Sequence, residues 1–270
     1  MKYSAAISAL LCAEVALGAR FTEKRRESRA ARQLSQRSGG VRKSQPIIKS
    51  DFQSADGNNS YVEYSSNWAG AVISTTGVTS VTGTIVVPTL SSSSSKTETA
   101  GSAWVGIDGD TCDTAILQTG IDWYVDGSSI SYDSWYEWYP DYAYDFSGIT
   151  ISAGDSILLT VTATSKTSGS ATIENLTTGV TVSETFTDVS DGSLCEYDAE
   201  WIVEDFEECD PDCELVPFAD FGTVTFTDVS AVIDGTTTTP ADATIIDIEQ
   251  SNKVLTSCSA SSSEVTCTYV

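Results

Sequence analysis

From Tyr61 onward the chain is a succession of short runs in which apolar and polar residues alternate, punctuated by Gly, Asp and Ser. Ser156–Ala163 is the cleanest: Ile157, Leu159 and Val161 fall on one side and Ser156, Thr160 and Thr162 on the other. Period-two alternation over this length predicts a half-buried strand. The same reading predicts strands at 68–74, 80–87, 103–108, 115–123, 131–139, 170–176, 180–187, 199–206, 223–232, 243–249 and 265–270. No segment keeps a helical period over ten residues. Many short strands with turn residues between them predict an all-β domain, a sandwich or barrel. The serine run at 91–95 predicts a loop.

One run breaks the rule of a dry face and a wet face. In Ala199–Phe206, Glu200, Ile202, Glu204 and Phe206 point one way, and Trp201, Val203 and Asp205 the other. Both faces mix carboxylates with large apolar groups. Carboxylates held among apolar side chains have shifted pKa values and suit acid–base work. An acidic edge strand, wet on both faces, is the plainer reading. Three further runs weigh against it. Trp104, Gly106 and Asp108 share a face, as do Ile116, Gln118, Gly120 and Asp122, and as do Asp133, Trp135, Glu137 and Tyr139. In one sheet with Glu200, Ile202 and Glu204, they would form a groove with aromatics for contact and carboxylates for chemistry. Trp123 and Trp138 lie on the opposite phase and are assigned to the core.

Charge divides the chain. Residues 1–50 hold eleven of the 14 Lys and Arg and only three acids. Residues 51–270 hold three basic residues against 35 acids, a net charge of about −32 at neutral pH. Such a body repels nucleic acid and anionic membranes and suits an acidic medium. Residues 1–18 carry Lys2, an apolar stretch from Ala5 to Leu17 and an Ala-Leu-Gly end, the pattern of a secretory signal. No later run is long enough to span a bilayer. Residues 19–55 are basic and poor in large apolar side chains. They are expected to be a propeptide that binds the acidic body by charge and lets go as carboxylates protonate. The expected organisation is signal peptide 1–18, propeptide 19–55 and one catalytic domain 56–270, in a secreted, monomeric protein.

Cys12 leaves with the signal, and six cysteines remain. An even number in a secreted chain predicts three disulfides among fifteen possible connectivities. Cys209 and Cys213 lie close in sequence, as do Cys258 and Cys267; pairing each couple leaves Cys112 with Cys195. A zinc site fits the spacing poorly, and no metal or other cofactor is expected. Asn58 and Asn175 begin glycosylation sequons.

The chain has no histidine, which excludes Ser-His-Asp and Cys-His chemistry. Acid–base work falls to carboxylates. No Asp-Thr-Gly or Asp-Ser-Gly occurs, against a pepsin-like pair. A glycosidase with two carboxylates, a carbohydrate-binding sandwich, or a peptidase with one carboxylate base and an amide donor remain. Here the residues resemble a family. SSNWAGAVI (65–73), AWVGIDGDTCDTAILQTGIDWY (103–124), DSWYEWYPDY (133–142), ISAGDSILLTVTATS (151–165), SATIENLTTG (170–179) and AEWIVEDFEEC (199–209) resemble the fungal glutamic peptidases, the eqolisins, in order across the acidic body.

The resemblance implies a sandwich of two bent, antiparallel, seven-stranded sheets and a secreted acid endopeptidase of protein and peptide substrates, made as a pre-proprotein. It implies Gln118 and Glu204 as the catalytic pair, with Trp104, Asp108, Asp133, Glu137 and Tyr139 in the groove; the alternation adds Glu200 as a neighbour on the face of Glu204. It supports the pairing Cys112–Cys195, Cys209–Cys213 and Cys258–Cys267. The Cys209–Cys213 loop is shorter than the family pattern, so the preference for peptide sequence is expected to differ. In the expected mechanism Glu204 takes a proton from water and Gln118 donates to the oxyanion. Asp108, Glu137 and Glu200 are expected to donate hydrogen bonds that keep the pKa of Glu204 low. With both residues present, a binding-only homologue is the weaker alternative.

Overall fold

The computed structural model describes residues 41–52, 62–92, 97–209 and 212–270. The expected signal peptide, residues 19–40 and 53–55 of the expected propeptide, Asn58 and residues 93–95 of the expected serine loop lie outside them. Val41–Val270 forms one compact unit.

The alternating runs become two sheets. All twelve expected strands are present, with ends shifted by a few residues. The back sheet runs Val180–Phe186, Ser168–Asn175, Ser156–Ser165, Val78–Val86, Thr223–Ile233, Glu264–Tyr269 and Thr256–Ala260, with Thr236–Thr238 also paired to Thr223–Ile233. The front sheet runs Lys253–Val254, Thr244–Gln250, Trp68–Ser74, Asp198–Glu204, Thr99–Ile107, Ile116–Asp126, Ser129–Tyr139 and Tyr144–Asp145. Val62–Ser65 joins Thr244–Gln250 in parallel. The sheets thus hold eight and nine strands, where the family pattern implied seven and seven, and one pairing is parallel. The excess comes from short edge segments such as Thr236–Thr238 and Tyr144–Asp145 that pair with longer strands. The described residues hold one short 3₁₀ turn, Pro240–Asp242, and no helix long and apolar enough to cross a membrane.

Between the sheets lies the main core: Ile157, Leu159 and Val161 from behind meet Val105, Leu117, Ile121, Trp123, Trp201 and Val203 from the front. Trp123 and Trp138 belong to this core, on the phase assigned to them. Trp201 ties the sheets together, its indole N–H donating to Thr82 O at 2.8 Å. The other face of the front sheet carries a second apolar cluster with Trp68, Trp104, Trp135 and Ile202.

Residues 41–50 cross that second face. Val41–Lys43 pairs antiparallel with Glu207–Cys209, which pairs in turn with Cys213–Leu215. At the far end, Ser50 N donates to Tyr64 O and Ser66 N to Ile48 O, so the segment also adds to the edge of Val62–Ser65. The disulfides are Cys112–Cys195, Cys209–Cys213 and Cys258–Cys267.

The structure argues against a glycan on Asn175. The residue is fully buried, and its Nδ2 donates to Thr150 O and Asp155 Oδ2 while Oδ1 accepts from Thr177 N and Thr178 N. The sequon is a local pattern, whereas burial at the end of Ser168–Asn175 is a product of the fold.

Candidate active site

Strand register assembles the groove face. Glu204 stands opposite Trp68 on one side and Ser102 on the other; Ser102 faces Asp122, and Asp122 faces Asp133. Four residues along, Glu200 faces Gly106, Gly106 faces Gln118, and Gln118 faces Glu137. The four segments grouped by period two therefore share one sheet and one face, apart from Asp108. Two glycines make room for the centre. A Cβ at Gly120 would lie 2.5 Å from Trp104 Cβ, and one at Gly106 would lie 2.6 Å from the Trp104 ring. With neither present, the Trp104 indole lies down on the sheet and donates to Glu204 Oε2 at 2.9 Å.

Glu204 is fully buried, and residues 44–45 lie on it. Ser44 Oγ donates to Oε2 at 2.9 Å, and Gln45 N approaches Oε1 at 3.4 Å. Burial raises the Glu204 pKa; Arg42, Ser44, Gln45 and Trp104 pull against it. The expected donors to Glu204 were Asp108, Glu137 and Glu200. The donors observed are Ser44, Gln45 and Trp104.

Gln118 Nε2 donates to Glu137 Oε2 at 3.2 Å. Burial, against the pull of Arg42, lifts Glu137 to about 8, so it is protonated in acid. Asp122 is lifted to about 7 by burial, again opposed by Arg42. Asp133 is half-buried beside it and adds to the rise. Between these groups sits Arg42. Its Nε lies 2.7 Å from Asp122 Oδ2, its Nη1 3.4 Å from Glu137 Oε2 and its Nη2 3.6 Å from Glu204 Oε2. The guanidinium lies 3.7 Å over the Trp135 ring and 4.8 Å from that of Phe206. Tyr139 is half-buried at the rim, with Lys43 Nζ 5.6 Å from its ring centre.

One acid assigned to the groove does something else, and another is shut in beneath it. Asp108 has a φ of 69°, which turns its side chain off the strand phase. Its carboxylate accepts N–H groups from Cys195, Glu196, Tyr197 and Asp198, holding the start of the strand that carries Glu204. Glu200 is fully buried beside the Trp104 ring, over Gly106. Burial, with the charges of Asp198, Asp108 and Asp110, holds its pKa well above the usual carboxylate range.

Sequence reasoning missed Arg42, Ser44, Gln45 and Asn67 as occupants of this face. For the first three the only signal was the basic character of the segment. Asn67 sits at a tight turn before its strand, where no periodicity marks it. A carboxylate able to take a proton, with a peptide lying on it, and an uncharged amide held by a neutral acid suit water attack on an amide bond.

Comparison with known proteins agrees. The Peptidase A4 family matches residues 66–269. Aspergillopepsin-2 of Aspergillus niger is 53% identical and scytalidopepsin B of Scytalidium lignicola 49%, each over the whole of both chains. Scytalido-glutamic peptidase with a transition-state analogue inhibitor superposes with a TM-score of 0.71 at 56% identity, covering 76% of this chain and 98% of that one. Aspergilloglutamic peptidase from Aspergillus niger gives 0.61 at 63% identity, covering 64% and 99%.

Proposed function

The chain belongs to the peptidase A4 (eqolisin) family and is a glutamic-type peptidase, and we propose that it is a secreted acid endopeptidase, made as a zymogen, whose catalytic pair is Glu204 and Gln118. Family membership decides against the carbohydrate-active alternative.

Glu204, as carboxylate, takes a proton from a water that attacks the scissile carbonyl. The protonated acid then delivers that proton to the leaving nitrogen. Gln118 carries two N–H groups on Nε2. One is held by Glu137, and the other serves the oxyanion. Glutamine suits this role in acid because it does not titrate. Activity belongs to acid, since an oxyanion beside an ionised Glu137 would meet like charge. Once residues 41–50 leave, the burial that raises the Glu204 pKa is relieved, and the Trp104 indole N–H remains to stabilise the carboxylate.

One contact above all supports this reading: Ser44 Oγ sits 2.9 Å from Glu204 Oε2, within hydrogen-bond reach of the carboxylate as an attacking water would be. The segment that carries it is basic and lies in an acid-walled groove, as an inhibitory propeptide would. Release follows the charge. The Arg42–Asp122 attraction needs Asp122 ionised. As pH falls through about 7, Asp122 takes a proton and the buried guanidinium loses its nearest counter-charge. Glu137 and Glu204, also raised, offer less charge still in acid.

Acid incubation of the full chain with denatured haemoglobin tests this. Wild type is expected to shed the basic segment and digest the substrate. Gln118→Ala is expected to lose about 10²–10³ in rate, and Glu204→Gln about 10²–10⁴. Near-normal digestion by either variant overturns the pair. Full activity with residues 41–52 still attached overturns the zymogen.

A further inference from the structure

Asn67 lies at the end of the groove beyond Glu204, and its side chain grips main chain. Its Oδ1 accepts the N–H of Ile48 at 2.8 Å. Its Nδ2 approaches the carbonyls of Gln45 at 3.4 Å and Pro46 at 3.2 Å. None of these contacts involves a side chain of the segment. An amide that takes one N–H and offers its own hydrogens to nearby carbonyls reads a peptide backbone and ignores its sequence.

The grip is aligned beforehand by the enzyme's own body. Ser65 Oγ donates to Asn67 Oδ1 at 2.8 Å, and accepts the N–H groups of Asn67 and Trp68 at 3.1 and 3.0 Å. The side-chain amide is thereby fixed in one orientation with Nδ2 toward the groove. Asn67 is also tied to the catalytic strand. Its carbonyl accepts Asp205 N at 2.9 Å, next to Glu204, and its neighbour Trp68 stands opposite Glu204. A backbone held at Asn67 is therefore held at a set distance from the base. Just past this point the segment continues by strand pairing to Val62–Ser65, a sequence-blind way of holding extended chain.

We propose that Asn67, aligned by Ser65, is a substrate-positioning clamp: it holds the main chain of an extended peptide or protein substrate two to four residues from the bond presented to Glu204. This rests on the peptidase reading above. An amide suits the role at acid pH, where a carboxyl group would change between donor and acceptor. Residues 41–50 use the same clamp before activation, which explains why a segment with few apolar side chains sits firmly in the groove.

The test is an ester scan. A cleavable peptide extended four residues on either side of its scissile bond is made in versions with one backbone N–H replaced by an ester oxygen. The acid-activated wild type is expected to lose about five- to tenfold in kcat/KM, mainly through KM, at one position two to four residues from the bond. In Asn67→Ala that penalty is expected to vanish while penalties at other positions persist. A wild type with no penalty in that window overturns the clamp, and this arm needs no variant to fold. So does an Asn67→Ala profile that matches wild type. The two readings fail separately: cleavage by Glu204→Gln overturns the catalytic pair, whereas the ester profile judges the clamp.

Discussion

The strand Ser156–Ser165 and the strand Asp198–Glu204 show two ways of being a strand in one protein. In the first, burial alternates residue by residue until its exposed end. Its inward side chains feed the core, and its outward hydroxyls pair across strands: Thr82 with Thr160 at 2.9 Å, Ser80 with Thr162 at 3.2 Å. In the second, every residue is buried. Its core face is ordinary, with Ala199, Trp201 and Val203. Its other face is covered at Glu204 and Ile202 by the chain's own residues 44–47, at Glu200 by Trp104 and at Asp198 by Thr111. Alternation is what a sheet does when water covers one side. A strand buried on both sides, with carboxylates on one, keeps no water-facing side for alternation to mark.

That comparison can be broken or sharpened by substitution. The largest effect is expected at the covered face. Glu204→Gln should cost about 10²–10⁴ in rate while its unfolding midpoint stays near wild type. A comparable fall in stability would make Glu204 a structural residue. Next comes the core face of the same strand. Trp201→Ala removes a buried indole and its bond to Thr82, and should cost about 3–5 kcal/mol in denaturant unfolding. Arg42→Ala should follow. Leaving Asp122 and Glu137 without their cation should weaken the hold of the segment by about 2–5 kcal/mol, so the precursor should become active at higher pH in a casein assay across pH 3–7. The smallest effect belongs to the wet face of the back sheet, where Thr160→Val should change stability by no more than about 0.5 kcal/mol.

Acid should also stabilise the fold itself. Asp205 and Asp247 are raised to about 8 and about 6, chiefly by burial. A carboxyl raised in the folded state binds more protons there than when unfolded, so stability is full below about pH 4 and falls as pH rises through about 6 and then 8. Thermal unfolding of the activated enzyme from pH 4 to pH 8 should show the melting temperature dropping over that window. A melting temperature that rises across it would contradict the shifts.

The sandwich was legible because its long strands carry period two. The groove face was legible for the same reason: alternation placed Gln118, Glu137, Glu200 and Glu204 on one side before any register was known. What escaped has physical causes. Asp108 was carried one residue past the strand end, where a positive φ breaks the phase. Val41–Lys43, Val62–Ser65, Glu207–Cys209 and Cys213–Leu215 are three or four residues long, too short for a period, and are defined by distant partners. The hydrogen bonds on Glu204 come from residues about 100 and 160 positions away, beyond any local pattern. The basic segment was visible as charge, but its seat over Glu204 was not.

The ten residues from Val41 to Ser50 lie in the groove without helix, paired at both ends and bent at Pro46. A substrate that lies the same way must surrender its own helices, turns and packing over that length before its bond reaches Glu204. Folded proteins offer few such stretches, so on the reading proposed above the groove would favour chains that have already lost their structure.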